Sequence, residues 1–229
     1  MADLNATKWG RTVGPAGGGG DFATPRAANA TSVSVNPTNS ANQAIMYLRT
    51  GRGQHKFNRG FYYFDTSGIT GEVSSVTLNI LGGANNNDGD IIVIKSTAFG
   101  GDGSADLVTT DHSSTLDYNT AYSSEITSWT LGGNNALTLN SNAESDIQNN
   151  DAFIVAIINH DNDFQNSAGG SGFVHDNAID YGTTGFLSYT EAAASGPANL
   201  TSYNGIAKAN ITSINGIAIA NITTLNGIS

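Results

Sequence analysis

Cysteine is absent from the 229 residues, which excludes disulfides and thiolate metal sites. Charged residues make up only 12% of the chain, and proline occurs four times. No apolar run approaches the length of a membrane span. The first ten residues, MADLNATKWG, contain no apolar segment of the kind that directs export. Catalytic signatures are missing too. No Gly-x-Ser-x-Gly elbow occurs, and the glycine run 17–20 lacks the Lys-Ser/Thr pair of a phosphate-cradling loop. The formal net charge of −10 argues against nucleic-acid binding by the whole chain. These absences point to a protein that is not an enzyme, requires no cofactor, and engages neither nucleic acid nor a membrane.

What is present is glycine (28 residues) and much Asn, Ser and Thr, a composition suited to strands joined by polar turns. Strands are expected at 44–49, 57–64, 73–81, 91–96, 126–131, 136–139, 152–159 and 186–190, where Val, Ile, Tyr, Phe and Thr dominate. Alternation in VSSVTLNI directs Val76, Leu78 and Ile80 to one core face, and the nearly continuous apolar run 152–158 reads as a central strand. On 57–65, Phe61 and Tyr63 share one face and Tyr62 and Phe64 the other, so one pair belongs to the core. Helical periodicity is weak, with a single turn expected at 143–149. The fold class is therefore all-β, an antiparallel jelly-roll-like β-sandwich.

Three segments are expected: an extended basic arm at 1–40, the sandwich at 41–195, and a repeat tail at 196–229. Residues 1–59 hold seven basic side chains (Lys8, Arg11, Arg26, Arg49, Arg52, Lys56, Arg59) against Asp3 and Asp21, a net +5. The remainder holds two basic and seventeen acidic residues, a net −15. Either the arm docks onto an acidic neighbouring subunit, or the clustering is only a solvated surface.

The tail repeats every eleven residues. Asn199, Asn210 and Asn221 open its units, and Asn204-Gly205, Asn215-Gly216 and Asn226-Gly227 divide them. Asn-Gly is the strongest short turn signal because both residues tolerate positive φ. Each unit reads as two very short strands, too narrow to bury its isoleucines without a neighbouring unit. Ile211, Ile214, Ile217 and Ile222 are thus assembly residues along with the turns. They would wind around partner chains or add strands to a neighbouring protein.

Oxygen-rich loops offer ligands for a structural calcium, with Asp88, Asp90, Asp161 and Asp163 the candidates. None of these loops has the full spacing of a calcium-binding helix–loop–helix, and Asx turns explain them equally well. His55, His112, His160 and His175 show no fixed metal-ligand spacing, although His160-Asp161 and His175-Asp176 could converge. Tyr118, Tyr122 and Trp129 are candidates for stacking on a sugar ring, or are ordinary packing.

The stretch RGFYYFDTSGI at 59–69, followed by VSSVTLNI at 73–80, resembles the DNRLRE-type carbohydrate-binding-like β-sandwich domains. MYLRTG at 46–51 is similar to the strand that leads into that motif. This resemblance, over residues 44–81, implies that Arg59 belongs to the fold rather than to a binding surface. The Ser-Ile-Asn-Gly-Ile-Ala repeat is similar to carboxy-terminal repeats of tailed-bacteriophage fibre and virion proteins, and SWTLGGNNALTL at 128–139 is similar to segments of phage proteins. Those likenesses imply a capsid decoration or fibre protein on the virion surface, made in the host cytoplasm without a signal peptide. Its partners would be copies of itself, with a trimer the natural fibre symmetry, and other virion proteins. The alternative is a carbohydrate-binding adhesin that recognises a host surface glycan.

Overall fold

The computed structural model describes residues 1–36, 44–83, 91–130, 132–168, 174–179 and 185–192. In the tail it describes 202–204, 206–207, 211, 213–214, 217–218 and 222. Strands form where β-branched and aromatic residues cluster, and they build two antiparallel sheets.

The smaller sheet orders β1 (Ala2–Asn5), β12 (Phe186–Glu191), β6 (Val73–Leu81) and β9 (Asn134–Thr138). The larger sheet is built around β5 (His55–Asp65). Its last six residues pair with β10 (Ala152–Asn159), which continues to β7 (Ile91–Ser96) and β8 (Leu116–Ala121). The start of β5 pairs with β4 (Ala44–Arg49), which holds β11 (Val174–Ile179). Along 58–63, β5 also pairs with β2 (Lys8–Val13), and β2 carries β3 (Ser32–Val35).

The sheets share one apolar core. Val76, Leu78, Ile80, Leu137 and Leu187 from the smaller sheet meet Tyr62, Phe64, Val93, Val155 and Ile157 from the larger. The alternation read at 73–80 therefore faces the core, and β10 lies centrally between β5 and β7. The nine-residue helix α3 (Ser141–Asn149) closes one side with Ala143 and Ile147. It is longer than the single turn expected, because Asn140 caps it by accepting from Asn142 N and Ala143 N.

Both aromatic pairs of β5 are buried, not one. Phe61 and Tyr63 join Ile92, Ile94, Phe99, Leu107, Ile154 and Ile158 in a second core on the outer face of the larger sheet. The covering layer comes from β3, the segment 97–118 and the turn 160–164, which contains no long apolar strand. That is why periodicity alone did not disclose it.

Two other expectations are corrected. Of the arm expected at 1–40, the described residues 1–36 are folded: β1 joins one sheet, β2 and β3 join the other, and α1 (Ala23–Ala27) follows β2. The sandwich therefore begins at Ala2, well before residue 41. These strands are short and carry few aliphatic residues, and their hydrogen bonds to longer neighbours supply the register. Of the seven basic residues in 1–59, Lys8 contacts Asp106 at 3.2 Å, Arg26 approaches Asp163 at 3.4 Å, and Arg59 pairs with Asp163, all within the chain. Of the strand expected at 126–131, the described residues 126–130 form one bridge, Ile91 to Ile126.

In the tail, β13 (Ser202–Tyr203) pairs with β14 (Ile206–Ala207), and β15 (Ser213–Ile214) pairs with β16 (Ile217–Ala218). Asn204 takes φ of 48°, the left-handed conformation its Asn-Gly turn requires.

Candidate functional site

Arg59 is fully buried on β5, and a buried guanidinium needs both a counter-charge and a full set of acceptors. The turn after β10 brings Asp163 to it. Nε donates to Asp163 Oδ2 at 2.6 Å and Nη2 to Oδ1 at 2.8 Å. Nη2 also donates to the Arg26 carbonyl at 2.9 Å, and Nη1 to the His112 carbonyl. Burial opposes the charge on Arg59, but the adjacent Asp163 carboxylate more than offsets it and leaves the pKa raised. Tyr118 donates to Asp163 Oδ1 at 3.0 Å, and the Arg26 guanidinium lies 4.4 Å above the Tyr118 ring. Burial and then the Asp163 charge push the Tyr118 hydroxyl pKa upward. Five segments of chain, at residues 26, 59, 112, 118 and 163, meet around this ion pair. This is an anchor, in keeping with Arg59 as part of the fold.

His112, also without exposed surface, accepts or donates at Nδ1 with Thr12 Oγ1 across 2.6 Å. Burial, assisted by the Arg59 charge, lowers its pKa to about 2, so it stays neutral. Its Nε2 has no hydrogen-bond partner among the described residues and faces Gly14, where a Cβ would come within 2.8 Å.

A second cluster forms at the opposite end of β7. Ile91 pairs with Asn159 of β10 on one side and bridges Ile126 on the other. The residues next to these, His160 and Glu125, consequently meet across the end of Ile91. His160 Nδ1 lies 3.2 Å from Glu125 Oε1 and 3.0 Å from Asp161 Oδ1. His160 begins a π-type turn (His160–Phe164) in which Asn159 Oδ1 accepts from Asn162 N at 2.7 Å. Its ring stacks on Phe164 with centroids 5.9 Å apart, and Nε2 lies 3.2 Å from Gln165 Nε2. The imidazole is thus fixed in orientation before any ligand arrives.

The calcium candidates are not assembled as expected. Asp163 is committed to Arg59, Tyr118 and Arg26, so its carboxylate is unavailable to a cation. Asp161, two residues earlier, faces the other way and joins Glu125 and His160. Asp88 and Asp90 lie outside the described residues. Glu125 was not foreseen, because only the Ile91–Ile126 bridge makes it a neighbour of His160. The His175-Asp176 side chains likewise lie outside the described residues.

The three aromatic candidates do not present open rings. Tyr122 is in the core against Phe153 at 5.1 Å and donates to Asp146. Burial and the Asp146 hydrogen bond raise its pKa. Asp146 in turn accepts from Lys95 Nζ at 2.7 Å, which docks α3 on β7. Trp129 is 9% exposed and packs in the main core, while Arg26 covers Tyr118. Beside Trp129 runs a polar groove of about 510 Å³ lined by Glu125, Ser128, Thr130, Asn134 and Thr138.

In the tail, Ile214 is only 6% exposed and packs with Tyr203, Ile211 and Ile222. Tyr203 and Ile214 occupy equivalent places in successive units, as do Ile211 and Ile222. Ile206 and Ile217, also equivalent, stay 53% and 54% exposed. Gly205, Gly216, Asn215, Asn226 and Gly227 lie outside the described residues.

No family model matches the chain, and no curated protein matches it.

Proposed function

We propose that this protein is a non-enzymatic structural component of a tailed-bacteriophage virion, a capsid decoration or fibre protein that displays its β-sandwich outward and assembles through its repeat tail. The observation that carries the proposal is the division of labour among the tail isoleucines. Ile214 is covered by side chains of its own and adjoining units, whereas Ile206 and Ile217 form a half-exposed pair eleven residues apart. Repeats that bury one apolar position internally and leave another outside suit a surface that other chains cover.

In this reading the partners are copies of the same chain, in a trimer for a fibre, together with other virion proteins. The sandwich is jelly-roll-like and related to the DNRLRE-type domains, and its pinned Arg59–Asp163 anchor keeps a displayed module rigid. Mass photometry of the full chain and of a form ending at Gly196 tests the proposal. Full-length oligomers that become monomers on truncation support it; monomers in both cases overturn assembly through the tail.

A second reading, a carbohydrate-binding module for a host glycan, draws support from the Ser/Thr/Asn-lined groove beside Trp129. It lacks the open aromatic face that sugar stacking uses, since Trp129 and Tyr118 are both covered. A glycan array with the full chain separates the two readings.

A further inference from the structure

We infer that Glu125, His160 and Asp161 form a binding site for one divalent first-row transition cation, with zinc as the representative ion. The donors are His160 Nδ1 and one carboxylate oxygen from each acid, and all three atoms lie within 4.8 Å of one another. Two ligands about 2.1 Å from a metal stand about 3.0 Å apart at a right angle and about 3.4 Å apart at a tetrahedral angle. The separations from Nδ1, 3.0 Å to Asp161 and 3.2 Å to Glu125, fall in that interval. The two carboxylate oxygens lie within 4.8 Å of each other, so rotation of the exposed Glu125 and Asp161 side chains would close the set, and water completes the coordination from the adjoining groove, which Glu125 lines.

The chemistry of the donors selects the ion. Imidazole nitrogen suits zinc, iron, nickel and copper, and carboxylates add affinity for divalent charge. Calcium takes six to eight oxygen ligands and gains little from a nitrogen. The site is thus distinct in kind from the calcium loop that the aspartates alone suggested.

The surroundings fix the histidine as a metal-binding imidazole requires. Phe164 holds the ring plane, and Gln165 meets the ring at Nε2. In the metal-free protein Gln165 donates to Nε2, which leaves the imidazole proton on Nδ1, between the carboxylates. On metal binding that proton moves to Nε2, and the Gln165 amide turns to offer its carbonyl oxygen. The outer partner at Nε2 still sets the ring tautomer. The scaffold is equally defined. Ile91 donates to the Ile126 carbonyl at 3.2 Å and accepts from Ile126 N at 2.8 Å, so Glu125 is carried on backbone held to the same strand as β10. A bound ion would tie the 122–130 segment to the end of β10.

Isothermal titration calorimetry of the full, untagged chain with zinc chloride tests the site, with calcium chloride in parallel. The expected result is one zinc per chain and no competition from calcium. Glu125→Gln and His160→Asn each weaken zinc binding about tenfold or more. Cobalt loaded in place of zinc gives visible absorption that changes in His160→Asn. Glu125→Gln alters an exposed side chain and keeps the test valid if the histidine variant does not fold. His175→Ala is expected to bind zinc like the parent. Absence of zinc binding, or equal affinity in Glu125→Gln, overturns the inference, as does displacement of zinc by equimolar calcium.

Discussion

Arg59 and Asp163, 104 residues apart in sequence, form a two-bond ion pair in which neither side chain is exposed. Removing one member strands the other's buried charge, whereas removing both takes away the charge and leaves only neighbouring polar groups, among them the Tyr118 hydroxyl and the His112 carbonyl, without their partners. Asp163→Ala is expected to lower stability by about 3–5 kcal/mol. The double variant Arg59→Met/Asp163→Leu should recover much of that loss. Urea unfolding of the three variants (each single and the double) in a double-mutant cycle measures the coupling.

His112 makes stability depend on pH. Its folded pKa of about 2 lies below the unfolded value of 6.5, so the native state resists a proton that the unfolded state accepts. The stabilisation is complete above pH 6.5 and falls by about 1.4 kcal/mol per pH unit as pH drops towards 2. Burial lowers the pKa of His55 as well, which adds to the loss in the same direction. Unfolding free energies from urea titrations should start to fall as pH drops through 6.5 and approach that slope below it. His112→Gln should flatten it.

Gly103 takes φ of 81°, and a Cβ there would lie 2.3 Å from the Tyr63 ring. Tyr63 belongs to the outer core, so the clash is felt in the packing of the larger sheet. Gly103→Ala should cost about 2 kcal/mol, read as a lowered thermal midpoint.

Ile206→Ser/Ile217→Ser removes the exposed tail pair without touching the buried Ile214 cluster. The expected outcome is an assembly constant weakened at least about tenfold, with the thermal unfolding of the sandwich unchanged. Dilution series by mass photometry check it. Unchanged assembly would remove these residues from the interface.

Much of the main core was legible because its strands carry strong period-two or continuous apolar patterns. Ala44–Arg49, Val73–Leu81, Ile91–Ser96 and Ala152–Asn159 match the expected bounds. The strands β1, β2, β3 and β8 were not legible, since each is short with only one or two large apolar residues and pairing with neighbours sets its conformation. The candidate site was less legible still. Asp161 was visible as an oxygen donor, but its meeting with Glu125 depends on Ile91 pairing on both edges, a relation that no local spacing encodes. Asp163 differs in role from Asp161 because two residues of a tight turn reverse its direction.

The pairing of β1 with β12 sets Ala2 opposite Tyr189. A ribosome emits the first strand long before its partner exists. At about 5–20 residues per second, β1 waits on the order of 10–40 seconds for its place in the sheet. Closure of the smaller sheet therefore waits for β12, and until then the nascent chain carries an open strand edge that a chaperone can hold.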